Sequence, residues 1–249
     1  MISIRNGIGA TDISHSLDRA GTVGKVPDAD ALPEIVDSQT WRAALDELTS
    51  REKALTRAKD AVAALRRRLP MTAVRGDYVF ETPSGPRTLL ELFDGRRQLI
   101  VYHFMFGDDA DEGCPGCSWL TDAMTHPAHL NARDVSFALI SRGRLEKLEA
   151  YQQRMGWDRD WFSSHGTTFN DDMGVTVEGE EWHGLSVFLR EDDEVYRTYF
   201  TGDRGVEHLG SHWTYLDLTP FGRQETWEDS PEGRPQSAPY EWIRRHDDY

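Results

Sequence analysis

The sequence has little cysteine, little basic charge and no long hydrophobic run. Of its 249 residues only 2 are cysteine, 28 are lysine or arginine and 43 are aspartate or glutamate, which gives a formal net charge of −15 at pH 7. A disulfide framework needs more cysteines, spread along the chain. The acidic balance argues against nucleic acid and against an anionic membrane as partner. No apolar run approaches the ~20 residues that cross a bilayer, so no membrane span is predicted.

The N-terminal stretch also lacks the apolar core of a secretory signal. Residues 1–26 alternate polar and small side chains, so the expected compartment is the cytoplasm. Hydrophobic residues make up 38% of the chain and aromatic residues 10%, which is enough apolar surface to form a core. We therefore expect a folded cytoplasmic protein.

Composition and periodicity divide the chain into four segments. Residues 1–37 are rich in glycine and proline and are predicted to be an N-terminal extension. Residues 38–70 have the pattern of one long amphipathic helix, with Ser38 as its N-cap. Residues 71–220 alternate strand and helix patterns and form the main domain. Residues 221–249 are an aromatic-rich C-terminal extension, expected to pack on that domain.

The long helix is predicted to be amphipathic. Its apolar side chains fall near one face: Trp41, Leu45, Leu48, Leu55, Val62, Leu65 and Leu69. The opposite face is charged, and proline 70 ends the helix. A helix of this length either packs across the domain or forms a homodimer interface.

The main domain shows an α/β pattern. Residues 98–106 and 135–141 are almost continuously apolar, as strands covered on both faces are. Helices are predicted from the cysteines towards residue 133 and over residues 145–157, and residues 185–190 and 194–200 form a hairpin. The order strand, helix, strand, helix implies a right-handed parallel crossover.

The two cysteines form the motif Cys114-Pro115-Gly116-Cys117 after the first buried strand. At the start of a helix, unpaired backbone N–H groups and the helix dipole favour a thiolate. The first cysteine then becomes the attacking sulfur, and the second, one turn later, resolves the mixed disulfide. Cys114 is therefore the candidate nucleophile and Cys117 the candidate resolving residue.

An acidic loop precedes the motif. Its carboxylates raise the pKa of a nearby thiol if they crowd it, and have little effect if they point into solvent. The sequence leaves both arrangements open. The residues concerned are Asp108, Asp109, Asp111 and Glu112.

From Leu32 to Tyr249 the sequence resembles the bacterial thioredoxin-like proteins grouped as domain of unknown function 899. The segments that carry the resemblance are WRAALDEL, EKALTRAKDAVAALRRRLPM, DYVFETPSG, RRQLIVYHFMFG, EGCPGCSW, RLEKLEAYQQRMGW, GLSVFLR, VYRTYF, TYLDLTPFGRQE and YEWIRRHD. The resemblance implies a thioredoxin-like fold, with a central mixed sheet flanked by helices. It also places Cys114 and Cys117 at the redox position, and it implies no particular substrate.

The motif departs from two related patterns. The stretch around Cys114 is loosely similar to peroxiredoxins, but these have threonine three residues before the cysteine, where this chain has Asp111; peroxide reduction is therefore not expected. Dithiol oxidoreductases of this fold usually carry a cis-proline before the hairpin. This chain has no proline between Pro127 and Pro220, and His183 is the residue expected to occupy that place and face the sulfurs.

Three hypotheses follow for function. The first is thiol–disulfide oxidoreductase chemistry on a small-molecule or protein disulfide. The second is a Cu or Zn site formed by Cys114, Cys117 and either His183 or His103, since two thiolates and an imidazole suit Cu(I) or Zn(II). The third is a non-enzymatic interaction protein on the same scaffold. His208 and His212 are interpreted as structural, because no third ligand accompanies them.

Overall fold

The computed structural model describes residues 32–249, so the predicted extension over residues 1–37 lies mostly outside the described residues. The helices are α1 (Ser38–Arg66), α2 (Pro115–Asp122), α3 (Pro127–Asn131), α4 (Leu145–Arg154), α5 (Phe169–Asp172) and α6 (Ser211–Asp217). The strands are β1 (Thr72–Val74), β2 (Val79–Phe80), β3 (Arg87–Thr88), β4 (Gln98–His103), β5 (Val135–Ser141), β6 (Trp161–Ser163), β7 (Thr176–Val177), β8 (Glu180–Glu181), β9 (Gly184–Glu191) and β10 (Glu194–Gly202). Short 3₁₀ helices span Glu91–Phe93 and Asp203–Leu209.

Six strands form the central mixed sheet, in the order β1-β10-β9-β4-β5-β6. β4, β5 and β6 run parallel, whereas β9 pairs antiparallel with β4 and continues into the hairpin with β10. The connections from β4 to β5 and from β5 to β6 contain helices, as parallel pairing requires. This arrangement confirms the α/β prediction of a thioredoxin-like sheet flanked by helices.

The sheet separates two apolar cores, and β4 contributes to both. Because successive strand residues point to opposite faces, Leu99 and Val101 pack in one core with β2, Phe93 and Phe169. Tyr102 packs in the other, together with α2, α4 and the C-terminal residues. β4 and β5 are buried on both sides, which explains their nearly continuous apolar sequences. The two cysteines belong to the second core.

Several predicted elements have different bounds. The helix after the cysteines does not continue towards residue 133: it ends at Asp122, and Pro127 begins the separate α3 at a position where proline is well accommodated. The residue that caps α1 is Asp37 rather than Ser38, because its carboxylate accepts hydrogen bonds from the N–H groups of residues 39 and 40. α1 ends at Arg66, before the proline.

Helix α1 does not pack across the domain. None of its residues is buried, and its apolar side chains are exposed: Trp41, Leu48, Leu55, Val62 and Leu65 each have more than half of their surface accessible. A described contact with the sheet is made near its end, where the guanidinium of Arg66 lies 4.7 Å from the centre of the Tyr199 ring. No helix within residues 32–249 has the length and apolar character of a membrane span.

The C-terminal residues pack against the start of α2 and against α4. Trp242 lies edge-on to Trp119 of α2 with ring centres 5.3 Å apart. The Arg245 guanidinium donates to the carbonyl of Gly113 at 2.9 Å and to the hydroxyl of Tyr151 in α4 at 3.0 Å. These contacts join the end of the described chain to the loop that carries the cysteines.

Candidate dithiol site

The cysteines are placed by the chain that leaves β4. Cys114 caps the N-terminus of α2, Pro115 occupies the first helical position, and the N–H of Cys114 donates to the carbonyl of Met105 at 3.2 Å. Gly113, just before, is tightly enclosed: a Cβ there would lie 2.6 Å from the Phe104 ring and 2.9 Å from Tyr151. Only glycine fits at that point without moving buried aromatic rings.

The environment of Cys114 favours its thiolate. The Cys117 side chain hydrogen-bonds to the Cys114 sulfur, and the N–H groups of Cys117 and Gly116 donate further hydrogen bonds to it. His183 adds a small favourable electrostatic effect. Together these contributions outweigh burial and lower the pKa of Cys114 to about 6. Hydrogen bonds to the charged form stabilise that form. Cys114 can therefore be an anion near neutral pH.

Cys117 has the opposite character. It is buried, and burial together with the neighbouring Cys114 charge raises its pKa well above the ordinary value. Tyr102 acts against this rise, because its hydroxyl hydrogen-bonds to the Cys117 sulfur. The pair thus consists of one partly accessible, ionised sulfur and one buried, protonated sulfur.

Three of the four acidic side chains in the loop before the motif have a basic partner. Asp108 lies 3.0 Å from His165, Asp111 lies 3.0 Å from Lys147, and Glu112 lies 3.0 Å from Arg245. Asp109 is exposed. None of these carboxylates contributes among the causes of the Cys114 pKa shift. Of the two arrangements left open by the sequence, the structure has the one in which the acids do not suppress the thiolate.

His183 lies between β8 and β9 and lines the same cavity as both cysteines. The described chain contains no cis peptide bond, so no cis-proline is found at the hairpin. His183 is thus at the cavity where the sequence analysis expected it to face the sulfurs. Its electrostatic effect is the last of the causes that lower the pKa of Cys114.

His103 is not near the sulfurs, and its prediction as an alternative metal ligand was wrong. It follows Tyr102 on β4 and therefore points to the opposite face of the sheet. There its Nε2 lies 2.8 Å from the hydroxyl of Ser186 and its ring lies 5.7 Å from that of Phe169. Burial lowers the pKa of His103 to about 3, so it is a neutral core residue.

The described residues contain no group of three or more His, Cys, Asp or Glu side chains arranged to hold a metal ion. The Cu or Zn hypothesis with His183 as third ligand therefore gains no geometric support between residues 32 and 249. The His212 ring packs against Trp119 at a tilt, with ring centres 4.2 Å apart, which agrees with the structural role expected for it.

Two contributors to the site were not predicted. The sequence pattern around Tyr102 predicts only a residue of a buried strand, although strand alternation places it on the opposite face from His103. Glu207 comes from a 3₁₀ helix far along the chain, where it lines the cavity and pairs with Arg223 at 2.9 Å. No local sequence pattern indicates that residue 207 lies beside the same cavity as residue 114 in the folded chain.

Among solved structures, the chain is similar to a PrxQ mutant from Xylella fastidiosa, with 11% identity, a TM-score of 0.43, and coverage of 58% of this chain and 94% of that one. It is also similar to bacterioferritin comigratory protein from Xanthomonas campestris, with 10% identity, a TM-score of 0.43 and coverage of 58% and 98%. For peroxidoxin BcpB from Mycobacterium tuberculosis the identity is 18%, the TM-score 0.40 and the coverage 57% and 94%.

No curated protein matches the sequence. A family described as a bacterial protein of unknown function (DUF899) matches residues 30–249. That span contains the central sheet, the CPGC motif and the C-terminal residues that line the cavity beside it. The chain therefore belongs to the DUF899 family.

Proposed function

We propose that this protein is a thiol–disulfide oxidoreductase in which Cys114 attacks and Cys117 resolves. The observation that carries the proposal is the donor set around Cys114: one thiol and two backbone N–H groups that favour its thiolate and lower its pKa to about 6. A thiol with such a pKa is mostly ionised at neutral pH and still nucleophilic. The buried, protonated Cys117 does not compete for the substrate.

The reaction has two steps. The Cys114 thiolate attacks one sulfur of a disulfide, the S–S bond breaks, and the other half leaves as a thiolate. Cys117 then loses its proton and attacks the Cys114 sulfur, which releases the second half and leaves a Cys114–Cys117 disulfide. Two electrons pass from the protein to the substrate. A dithiol reductant is needed to restore the starting state.

The proposal is tested with Cys114→Ser and Cys117→Ser in the full chain. The reduced protein is mixed with a disulfide, quenched with an alkylating agent and mapped by mass spectrometry. We expect Cys117→Ser to retain a mixed disulfide on Cys114, the wild type to form the intramolecular disulfide, and Cys114→Ser to do neither. A wild type that never forms the Cys114–Cys117 bond at any physiological potential contradicts the proposal.

The same preparations separate this proposal from the two alternatives raised by the sequence. Metal analysis of the wild type and Cys117→Ser tests the Cu or Zn site, which requires metal in the former and less in the latter. A non-enzymatic interaction protein requires that the wild type forms neither a mixed disulfide nor the Cys114–Cys117 disulfide when it is mixed with a disulfide.

A further inference from the structure

A cavity of about 370 Å³ adjoins both sulfurs. Its lining is mainly apolar and comes from five parts of the chain. These residues include Tyr102, Leu120, Val206, Trp213, Tyr240 and Ile243. A cavity of this size is at the small end of the range that holds small organic molecules.

The C-terminal part of the chain makes this site a pocket instead of an open groove. Trp213 packs on Trp119 of α2 with ring centres 4.3 Å apart, and Tyr240 hydrogen-bonds to Glu207. Residues from the segments 203–213 and 240–243 therefore form one wall of the space beside Cys114. This wall favours a small ligand over an extended polypeptide.

Two polar groups of the pocket are not available to a ligand. The Glu207 carboxylate is already engaged by Arg223, Tyr240 and Arg204, the last at 3.3 Å. The indole N–H of Trp213 has no acceptor within the described part of the chain, but this nitrogen is itself fully buried. The lining therefore favours a ligand with an apolar body.

Charge disfavours a further class of ligand. Asp203 lines the cavity and the whole chain has a net charge of −15, whereas the Glu207 carboxylate is compensated by Arg204 and Arg223. The net negative charge disfavours the approach of anionic disulfides. An uncharged molecule is not subject to this electrostatic repulsion.

We infer that the substrate is a small, uncharged organic disulfide with an apolar body. This inference rests on the proposed function, because the attack on the disulfide is the first step described there. The Cys114 thiolate bonds to one sulfur, and the other sulfur leaves with the electron pair of the broken bond and is protonated by water.

The test uses reduced Cys117→Ser, in which only the first step occurs. Its rate with uncharged 4,4′-dithiodipyridine is compared with its rate with dianionic 5,5′-dithiobis(2-nitrobenzoate), each divided by the rate of free cysteine with the same reagent. We expect the normalised rate to be about tenfold higher for the uncharged reagent. Ile243→Asp, made in the same background, should remove most of this preference, whereas Leu218→Asp, on an exposed residue outside the cavity lining, should keep it.

Equal normalised rates for the charged and uncharged reagents would refute the substrate class while leaving the proposed function intact. If Cys114 reacts with neither reagent, the proposed function itself fails.

A second inference comes from the uncovered helix α1. Trp41, Leu48, Leu55 and Val62 recur at intervals of seven residues, the period of a coiled-coil seam. All are about half exposed or more on a helix about 43 Å long. A seam of this kind is stable when a second helix covers it.

Charge indicates what that second helix is. Beside the seam, α1 carries Glu47 and Glu52 before Leu55, and Lys59 and Arg66 after it. In an antiparallel pair centred between Leu55 and Ala58, Glu52 of each copy lies opposite Lys59 of the other. A parallel pair would place Glu47 against Glu52, which is repulsive.

We propose that α1 pairs antiparallel with α1 of a second copy of this chain. Light scattering of the full chain should give a dimer that dissociates in Leu55→Glu. Glu52→Lys and Lys59→Glu should each weaken it, and the double variant should restore it, because each pair then regains opposite charges. A monomer at every concentration, a dimer that survives Leu55→Glu, or a double variant without recovery contradicts the proposal.

Discussion

Cys114 and Cys117 occupy opposite environments at the start of α2. The first accepts hydrogen bonds and is partly accessible; the second is buried and donates. The difference in pKa between the two thiols therefore depends on the Cys117 thiol as well as on the helix end. The hydrogen bond from Cys117 is the largest single cause of the lowered pKa of Cys114.

Removing that donor should raise the pKa of Cys114. In Cys117→Ala we expect the midpoint of the pH profile for alkylation of Cys114 to move up by about one pH unit. Cys117→Ser, whose hydroxyl still donates, should move it less. Iodoacetamide labelling followed by mass spectrometry gives the profile, and an unchanged midpoint in the alanine variant would show that the backbone N–H groups alone hold the thiolate.

Tyr102 should act on the second step. Its hydroxyl hydrogen-bonds to the Cys117 sulfur, so it stabilises the thiolate that must form there before resolution. We expect Tyr102→Phe, which keeps the buried ring, to slow resolution roughly tenfold or more and to leave the first attack unchanged. Quenched-flow mass spectrometry follows the mixed disulfide, with Tyr199→Phe as control. Faster or equal resolution in Tyr102→Phe would be inconsistent with this role.

At this scale the sequence was sufficient for the cysteines and His183 and insufficient for Tyr102 and Glu207. A CxxC after an apolar strand is a local signal with a known mechanical reason. Whether Tyr102 or His103 contacts the Cys117 sulfur depends on which face of β4 packs against α2. That choice is made by tertiary contacts and not by the local sequence. Glu207 reaches the site only because α6 and the C-terminal residues fold back over α2.

At the scale of elements, a buried ion-pair network holds the C-terminal segment together. Arg223 has 7% of its side chain exposed and binds Glu207 at 2.9 Å and Asp217 at 2.7 Å. It joins the 3₁₀ helix over Asp203–Leu209, α6 and the residues that follow α6. Two of these three pieces, through Glu207 and Trp213, line the cavity beside the dithiol.

We expect Arg223→Met to destabilise the protein by about 3 kcal/mol, because it leaves a largely buried carboxylate without its main partner. Urea unfolding of the reduced protein measures the change. The matched control is Arg51→Met, which breaks an exposed pair with Glu47 and should cost no more than about 0.5 kcal/mol. Equal losses in the free energy of unfolding for the two variants would mean that the ion-pair network does not stabilise the C-terminal segment.

The elements that were predicted well are those decided by local burial. β5 has the predicted bounds because every residue from 135 to 141 is apolar or small enough for a strand covered on both faces. β6 has only three residues and was missed, since so short a strand leaves no periodic signal. The break between α2 and α3 was missed although Pro127 lies there, because proline permits a helix to start as readily as it ends one.

For the whole molecule, the dithiol couples stability to pH. The pKa of Cys114 is about 6 in the folded protein and 9.0 ordinarily, so the folded state binds this proton more weakly than the unfolded state does. The contribution is fully present above the ordinary pKa and is lost as the pH falls to about 6.

We therefore expect the stability of the reduced wild type relative to Cys114→Ser to increase from about pH 6 to about pH 8.5. Urea midpoints at both values measure it, and the exposed variant Ser50→Ala should give a difference that does not change with pH. The raised pKa of Cys117 opposes this trend only above its ordinary value, outside that interval. A difference that is constant or falls with pH would contradict the assignment of the thiolate to Cys114.

The pairing of β4 with its two neighbours also determines which chemistry the buried sulfur meets. Residues 98–103 are matched one for one with β5 on one side and β9 on the other. A slip of a single residue would turn the Tyr102 phenol into the opposite core and place either His103 or Val101 opposite Cys117, depending on the direction of the slip. Deletion of one residue before Tyr102, with the start of the strand kept in register, would therefore exchange a hydroxyl donor for a titratable base without altering either cysteine.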